Sequence, residues 1–402
     1  MNLDKRTTID GGNYDVIVVG GGIAGISAAV SAARKNLSVL LIEKNVNLGG
    51  LATIGLISWY EPLCDGKGKQ MISGICEELI MLSTKYCFDN LPGIWGGSGK
   101  FPSTNERYST FYSPTVFSLA LDEFVLENGV NIRFDTLGVY PVMEEHRAIG
   151  IICESIGGKE FFSAKVIIDA TGSAVVMERA GVPTVTGTNF FSYVAHGYQN
   201  EDIEKLHESG NTCKFRKWIS VGYNLFDAET GENMRELKCE TADDITKYII
   251  KGKKRLLDKI KEFDKDSHDI IALPEMAQFR TIKRIAGKTD FNAVNGEKYA
   301  DSIGSCGDFR PGFEGNHYEI PFGSMYNEDF DNIIAAGRII SSPQGNGWEV
   351  ARVIPTCALT GEAAGNAAFL MVKNACKVSD IDMTELQKLQ KNGGVMFENC
   401  RI

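Results

Sequence analysis

Gly20, Gly22 and Gly25 fall in the spacing GxGxxG, and an acid, Glu43, follows about twenty residues later. Glycines so spaced suit a pyrophosphate. The first permits a tight turn, the second lets the main chain approach the phosphates, and the third lets the next helix pack closely. A helix N-terminus placed there adds unpaired N–H groups and partial positive charge. Glu43 is placed to accept hydrogen bonds from a ribose. A bare GxGxxG is weak evidence, because ordinary α/β turns are also rich in glycine. Here the flanks decide: Asp15 to Val19 reads as a strand, Ala24 to Lys35 as a helix, and Leu37 to Glu43 as a second strand. Together they make a βαβ unit on a parallel sheet.

The elements that must support this unit run along the whole chain. Asn47 to Ile57 is a second glycine-rich loop, and Gly66–Gly68 and Gly93–Gly99 read as surface loops. Thr115 to Asn128 has helical period, with Phe117, Leu121, Phe124 and Val125 on one face. From Val130 to Ile168 short strands alternate with turns, as in a meander, and Lys165 to Gly172 is a buried parallel strand ending in a glycine turn. Residues 187–325 are more aromatic and polar. Asp243 to Phe263 reads as a helix there, opened by a capping box at Thr241 and Asp244. Its expected inner stripe is Ile245, Tyr248, Ile249, Leu256, Leu257 and Ile260. A strand pattern returns at Asn332 to Arg338. A helix rich in Gly and Ala follows from Pro355 to Lys373, and the last twenty-five residues read as a surface helix and tail. The expected class is α/β, a Rossmann-like domain of parallel sheet plus meander with an inserted mixed α+β cap. Its expected boundaries are 1–185, 186–325 and 326–402.

Composition narrows the function. A length of 402 residues favours two domains over one, and the net charge of -10 without a basic stripe argues against nucleic acid. The basic run Lys251 to Lys261 alternates with Ile, Leu and Asp, as on a solvated helix face. No signal peptide or membrane span is evident. Ten cysteines include no CxxC pair and no metal-type spacing, so a disulfide framework, a metal site and a dithiol centre all lose support. Reduced thiols in a cytoplasmic protein are the simplest expectation.

Taken in order, the GxGxxG with Glu43-Lys44, the Gly49-Gly50-Leu-Ala-Thr53 loop, the meander, Ile168-Asp-Ala-Thr-Gly172 and Ala335-Ala-Gly-Arg338 spell more than a generic Rossmann unit. The chain resembles the FAD-dependent oxidoreductases of the glutathione-reductase-like superfamily. It lies near the branch of fumarate-reductase and succinate-dehydrogenase flavoproteins and a group of uncharacterised bacterial FAD-dependent oxidoreductases. Tyr318 to Ser324, Ala336 to Ser341 and Ala351 to Cys357 are similar to that bacterial group in particular. The resemblance implies that Gly20, Gly22, Ile23, Ala24 and Gly25 hold the pyrophosphate, and that Glu43, with Lys44 beside it, holds the adenosine ribose. It further implies main-chain contacts from Gly49, Gly50 and Leu51, Thr53 near the flavin, and Val139 at the adenine. Ala170, Thr171 and Gly172 would line the cofactor channel, and Gly337 and Arg338 would sit by the ribityl chain. Pro355 and Thr356 would begin a helix pointing at the flavin N1–C2=O edge. Gly50 to Ile57 holds no histidine for covalent attachment, so the FAD is expected to be non-covalent. No second GxGxxG follows residue 180 to serve NAD(P)H.

Flavin performs hydride transfer, and the protein must place a substrate and handle a proton. Arg280, Arg284 and Arg352 are able to clamp a carboxylate bidentately, as arginines do in the fumarate-reducing relatives, with surface ion pairing as the plainer role. Arg310, Tyr318, Glu319 and Arg338 are further candidates. His317 and His196 are candidate acids or bases. Trp348 suits stacking or packing, and Cys357, at a helix start, suits a lowered pKa or simple packing. Arg280, His317 and Arg352 are the expected catalytic set, acting on a small-molecule substrate with an unidentified electron donor or acceptor; an oligomer stays open. Alternatives are a flavin-dependent tRNA-modifying protein, a non-catalytic electron-transfer subunit, and a Rossmann protein that binds NAD.

Overall fold

Val16 to Val19 are buried on both faces, as a strand inside a parallel sheet requires. They end strand β1 (Ile9–Val19) in a computed structural model that describes residues 8–99, 107–189, 191–222, 237–280, 282–308 and 310–397. The expected carboxyl-terminal tail therefore lies partly outside the described residues. With β1 run β2 (Val39–Ile42), β3 (Asn131–Arg133), β4 (Leu137–Glu144), β5 (Arg147–Ser155), β6 (Gly158–Asp169) and β7 (Ile333–Ala335). The parallel order is β3-β2-β1-β6-β7. Chain order reverses between β1 and β6, and such a switch point opens a crevice at the carboxyl ends of the strands.

Strand β6 reads in the sequence as two strands but forms one. Its first half pairs antiparallel with β5, its end pairs parallel with β7, and β1 runs along its other edge. Strand β1 is also longer than its apolar run. The polar residues before Asp15 keep the ladder with β6 through main-chain bonds, with one irregularity between Asp10 and Gly12.

Residues 192–199, 217–222 and 268–272 form a separate antiparallel sheet with Ser192–Gln199 in the middle. A helix (Ala242–Ile260) covers it, opened by the expected capping box: the Asp244 N–H donates to Thr241 Oγ1 and the Thr241 N–H to Asp244 Oδ2, both at 3.1 Å. Its inner face differs from the expected stripe. Ile245 and Leu257 are exposed, while Tyr248, Gly252 and Leu256 face the sheet. Gly252 is needed there, because a Cβ would sit 2.4 Å from the Tyr193 ring. The core of this insert draws on Phe191, Tyr193, Ile219, Tyr248, Leu256 and Phe279. Phe291, Ile303, Tyr318, Ile320 and Met325 instead join the main core, so residues 186–325 divide between two cores. Main-chain pairing of 302–307 with 317–321, under the long carboxyl-terminal helix, explains that split.

That helix (Ile354–Asn374) lies against the helix after β1 (Ile23–Ala33). Gly361 and Gly365 allow the contact: a Cβ would stand 2.2 Å from the Ala24 carbonyl oxygen at the first and 2.4 Å from the Ala28 carbonyl oxygen at the second. The contact sets Ala24, in the first turn of one helix, against Gly361, about two turns into the other. The helix Met383–Asn392 is not wholly a surface element, since Leu386 and Gln390 are buried. Among the described residues no helix is long and apolar enough to cross a membrane.

Candidate functional site

Gly20 leaves β1 with a φ of +104°, and a Cβ on it would lie 2.5 Å from the Ala170 carbonyl oxygen at the end of β6. Gly25 is tighter still: its Cβ would stand 1.8 Å from the Gly20 carbonyl oxygen. Gly22 is the opposite case. It caps the first helix without any side-chain hydrogen bond, and a Cβ there would meet no protein atom within 4 Å. Open space above a helix N-terminus is the feature an anion uses. The second glycine loop docks on the first, with the Gly49 N–H donating to the Gly21 carbonyl at 2.8 Å.

Glu43 ties this turn to the end of β2. One carboxylate oxygen accepts the Gly21 N–H at 2.7 Å; the other accepts the Asn45 main-chain N–H at 2.9 Å and its side-chain amide at 2.7 Å. It is therefore a brace for the glycine loop as well as a wall of the groove that opens here. Gly20, Gly22, Ile23, Ala24, Glu43, Lys44, Gly49, Gly50, Leu51, Ala170, Thr171, Gly172, Gly337 and Arg338 all line that groove. Asn45, Ala52, Met276, Ala336, Arg352, Ile354 and Cys357 complete it.

Five expected residues lie elsewhere. Gly25 is beneath the turn. Thr53 is buried, and its hydroxyl donates to the Leu48 carbonyl, closing the Gly49–Gly50 turn from inside. Val139 stands at an irregularity of the β4–β5 pairing, its carbonyl accepting from Arg179 at 2.6 Å. Pro355 and Thr356 are buried in the first turn of the long helix, which presents Ile354 and Cys357 to the groove instead. Asp169, buried at the end of β6, holds the Ala170–Gly172 turn by accepting from Thr171 and from the Val176 and Met177 N–H groups.

A second, small cavity of about 50 Å³ adjoins the groove and shares Leu51, Ala52, Arg338, Arg352 and Ile354 with it. Ile57, Glu61 and Arg280 complete its wall. Arg338 is anchored by its Nε–H to the Gly172 carbonyl at 2.7 Å and by a second bond to the Phe279 carbonyl. Arg280 donates to the Gln278 carbonyl at 2.7 Å. Arg352 lies over the Trp348 ring, 5.0 Å from its centroid, and its Nε has no hydrogen-bond partner. Burial lowers the pKa of all three guanidinium groups, and pushes Arg338 and Arg352 down to about 10, with Arg280 repelling both. The acid here is Glu61, whose carboxylate accepts the Ile354 N–H at 3.2 Å. Burial raises its pKa, against the pull of Arg352 and Arg280. Glu61 was absent from the sequence candidates, although it is the single charge in the run Leu51 to Leu63.

Other candidates have different surroundings. Arg284 pairs with Asp290 at 3.0 Å, and Arg310 grips Asp308 with Tyr318 donating to the same carboxylate. Glu319 is buried and accepts the Tyr299 N–H at 3.2 Å. The structure does not bring His317 to the arginine cavity; its main-chain N–H donates to Asn295 beside the hairpin 302–321. His196 is fully buried in the insert, its Nε2 2.9 Å from the Leu56 carbonyl, and burial pushes it down to about 4. Burial pushes the Cys357 thiol up to about 12, which suits packing rather than reactivity. Among the described residues no group of three or more His, Cys, Asp or Glu is arranged for a metal ion.

A family model described as FAD dependent oxidoreductase matches residues 15–296 and 304–390. Among curated proteins, a thioredoxin reductase of Ureaplasma parvum is 22% identical over 172 residues, 43% of this chain and 52% of that protein. A tRNA uridine 5-carboxymethylaminomethyl modification enzyme of Metamycoplasma arthritidis is 26% identical over 273 residues, 65% of this chain and 38% of that protein. The chain spans about half the length, or less, of the curated relatives it matches. Among solved structures, a geranylgeranyl bacteriochlorophyll reductase-like protein from Thermoplasma acidophilum shares the fold at a TM-score of 0.50 and 12% identity, covering 95% of this chain and 83% of that one.

Proposed function

The chain belongs to the FAD dependent oxidoreductase family, and from that premise we propose that it transfers a hydride between non-covalent FAD in the groove and a small organic anion whose charged end enters the arginine cavity. FAD, when bound, supplies the hydride chemistry. The groove suits it: Gly22 leaves main-chain space above a helix start, and Gly20, Gly49, Gly50, Gly172 and Gly337 keep the walls free of side chains. The long helix adds a second N-terminus with positive partial charge at the far end.

One observation carries the substrate side. Arg280, Arg338 and Arg352 converge on one small cavity that contains a single carboxylate, Glu61, and adjoins the groove. The lining thus carries two more positive than negative charges, with Glu349 attracting Arg352 from outside it, and burial makes each such charge costly until an anion arrives. Arg352 and Arg280 grip a carboxylate, Arg338 fixes the channel turn at Gly172, and Glu61 exchanges the proton that accompanies the hydride. Reduction of an activated double bond and oxidation of a C–H next to oxygen or nitrogen both suit these groups. A cytoplasmic setting accords with the free thiols from Cys64 to Cys376.

The test is a screen of flavin bleaching and reoxidation with carboxylates, alcohols, amines and enoates, on wild type, Arg280→Ala and Arg352→Ala. Carboxylate-bearing compounds are expected to react. Each variant should keep its FAD and lose about 10–100-fold in kcat/KM, the worth of one or two charge-assisted hydrogen bonds. Unchanged turnover in both variants would overturn the assignment. A tRNA-modifying activity is distinguished by retention on heparin or tRNA at low salt. An electron-transfer subunit is distinguished by flavin that no small molecule bleaches.

A further inference from the structure

A third cavity lies between Ser58, Phe88, Asn90, Phe111 and Tyr112 on one side and residues 202–218 of the insert on the other. Its volume is about 550 Å³, within the roughly 300–1,000 Å³ of small-molecule sites. Tyr112 joins the two sides. It lines this cavity while its hydroxyl, shared between two acceptors, stands 2.9 Å from the Ala52 carbonyl and 3.0 Å from the Ile57 carbonyl, and both of those residues wall the arginine cavity.

The lining is cationic and aromatic. Lys205, Lys214, Arg216 and Lys217 face Asp202 alone, leaving three positive charges in excess. Asp202 stands 3.8 Å from both Lys205 and Lys217, beyond hydrogen-bond range, and its carboxylate accepts the Gln199 N–H. Arg216 is half-buried, and burial lowers its pKa. It donates to the Ser113 hydroxyl at 3.1 Å, and no carboxylate among the described residues pairs with it. Trp218 is held in place by its indole N–H, which donates to Ser58 at 3.1 Å, and its ring meets Phe111 edge-on at 6.1 Å. A half-buried guanidinium without a counter-ion, beside a fixed indole, is a pair that a ligand with both charge and a flat ring satisfies.

We propose that this cavity binds a phosphorylated ring compound of nucleotide type, with Arg216 and Lys214 on the phosphate and Trp218 against the ring. A single carboxylate would cancel only one of the three excess charges, whereas a phosphate monoester or diphosphate carries more and offers oxygens to both lysine and arginine. The site is independent of the substrate reading of the arginine cavity. Its ligand is either a free nucleotide or a nucleotide that carries reducing equivalents, and the two share the recognised phosphate and ring.

The experiment is calorimetric titration of FAD-saturated protein, so that the groove is filled, with ADP, NADPH, inorganic pyrophosphate and benzoate. ADP is expected to bind at one equivalent beyond the FAD, with affinity falling as salt rises, and benzoate is expected not to bind. Arg216→Gln should weaken ADP by about tenfold or more, and Trp218→Leu should weaken ADP but not pyrophosphate. Both variants keep the FAD spectrum and melting temperature, which separates lost binding from lost folding. Bleaching of the flavin by NADPH, with the same dependence on Arg216, identifies the electron-carrying source; binding without bleaching identifies a free nucleotide. No ADP binding to the loaded protein, or equal binding in Arg216→Gln, overturns the proposal.

Discussion

The groove and the arginine cavity share a wall but are built in opposite ways. The groove is main chain. Its shape comes from the places where a Cβ is missing, and its charge from two helix starts. The arginine cavity is side chain, with three guanidinium groups and one carboxylate from three distant parts of the sequence, around residues 61, 280 and 338–352. A surface made by missing atoms is damaged by adding one. A surface made by charges is damaged by cancelling one, and it can fail while the fold stays intact.

The largest effect expected from this contrast is at Gly25. Alanine there places a Cβ 1.8 Å from the Gly20 carbonyl oxygen, so the helix must shift. A loss of about 1–3 kcal/mol or more in urea unfolding, together with loss of FAD, is expected. Gly22→Ala is the matched control. Its Cβ meets no protein atom within 4 Å, so stability should change by less than about 1 kcal/mol while FAD affinity drops. Full affinity in Gly22→Ala would show that no phosphate approaches that main chain.

Next in size is Glu61→Gln, which removes the acid of the cavity without changing its shape. Turnover should fall by about 100-fold, in the range for a lost general acid or base, with FAD content unchanged. Because burial raises the Glu61 pKa, the wild-type pH–rate profile should carry a limb above the ordinary carboxylate range that the variant lacks. A profile that keeps that limb would assign the proton transfer to another group.

The last effect, visible only as a change of slope with pH, concerns a buried carboxyl belonging to neither site. Glu362, midway along the long helix, accepts the Ile75 N–H at 2.9 Å, and burial pushes its pKa up to about 7. Its native value lies above the ordinary glutamate value of 4.5, so the native state holds the extra proton. That contribution to stability is full below the unfolded pKa and is lost as pH rises through about 7. Glu362→Gln should flatten the decline over that window by on the order of 1–3 kcal/mol, read from unfolding midpoints at successive pH values. Equal slopes in both proteins would mean that Glu362 stays ionised.

The same contrast explains what the sequence revealed. Missing Cβ atoms leave a spaced glycine signature, so Gly20 and Gly22 were legible as groove walls from their spacing and Gly49 from its glycine-rich loop, while Gly172 and Gly337 entered only through the family resemblance. Arg280, Arg338 and Arg352 were visible as candidates, but nothing in their spacing says that they meet, because the sheet and the insert bring them together. His317 looked equivalent to them and is elsewhere. Glu61 had one faint signal, a lone acid in an apolar run, and the period of the helix Ala242–Ile260 hid Gly252, whose role depends on the Tyr193 ring opposite. The polar start of β1 was illegible for a simpler reason: its pairing with β6 uses main-chain groups that carry no residue preference.

Gly361 and Gly365 seat the long helix on Ala24 and Ala28, which has a bearing on biosynthesis. The amino-terminal half of the nucleotide crevice leaves the ribosome more than three hundred residues before its opposite wall. Cofactor capture is consequently a late event, and a nascent chain must keep the apolar flank of its first helix shielded until that wall arrives.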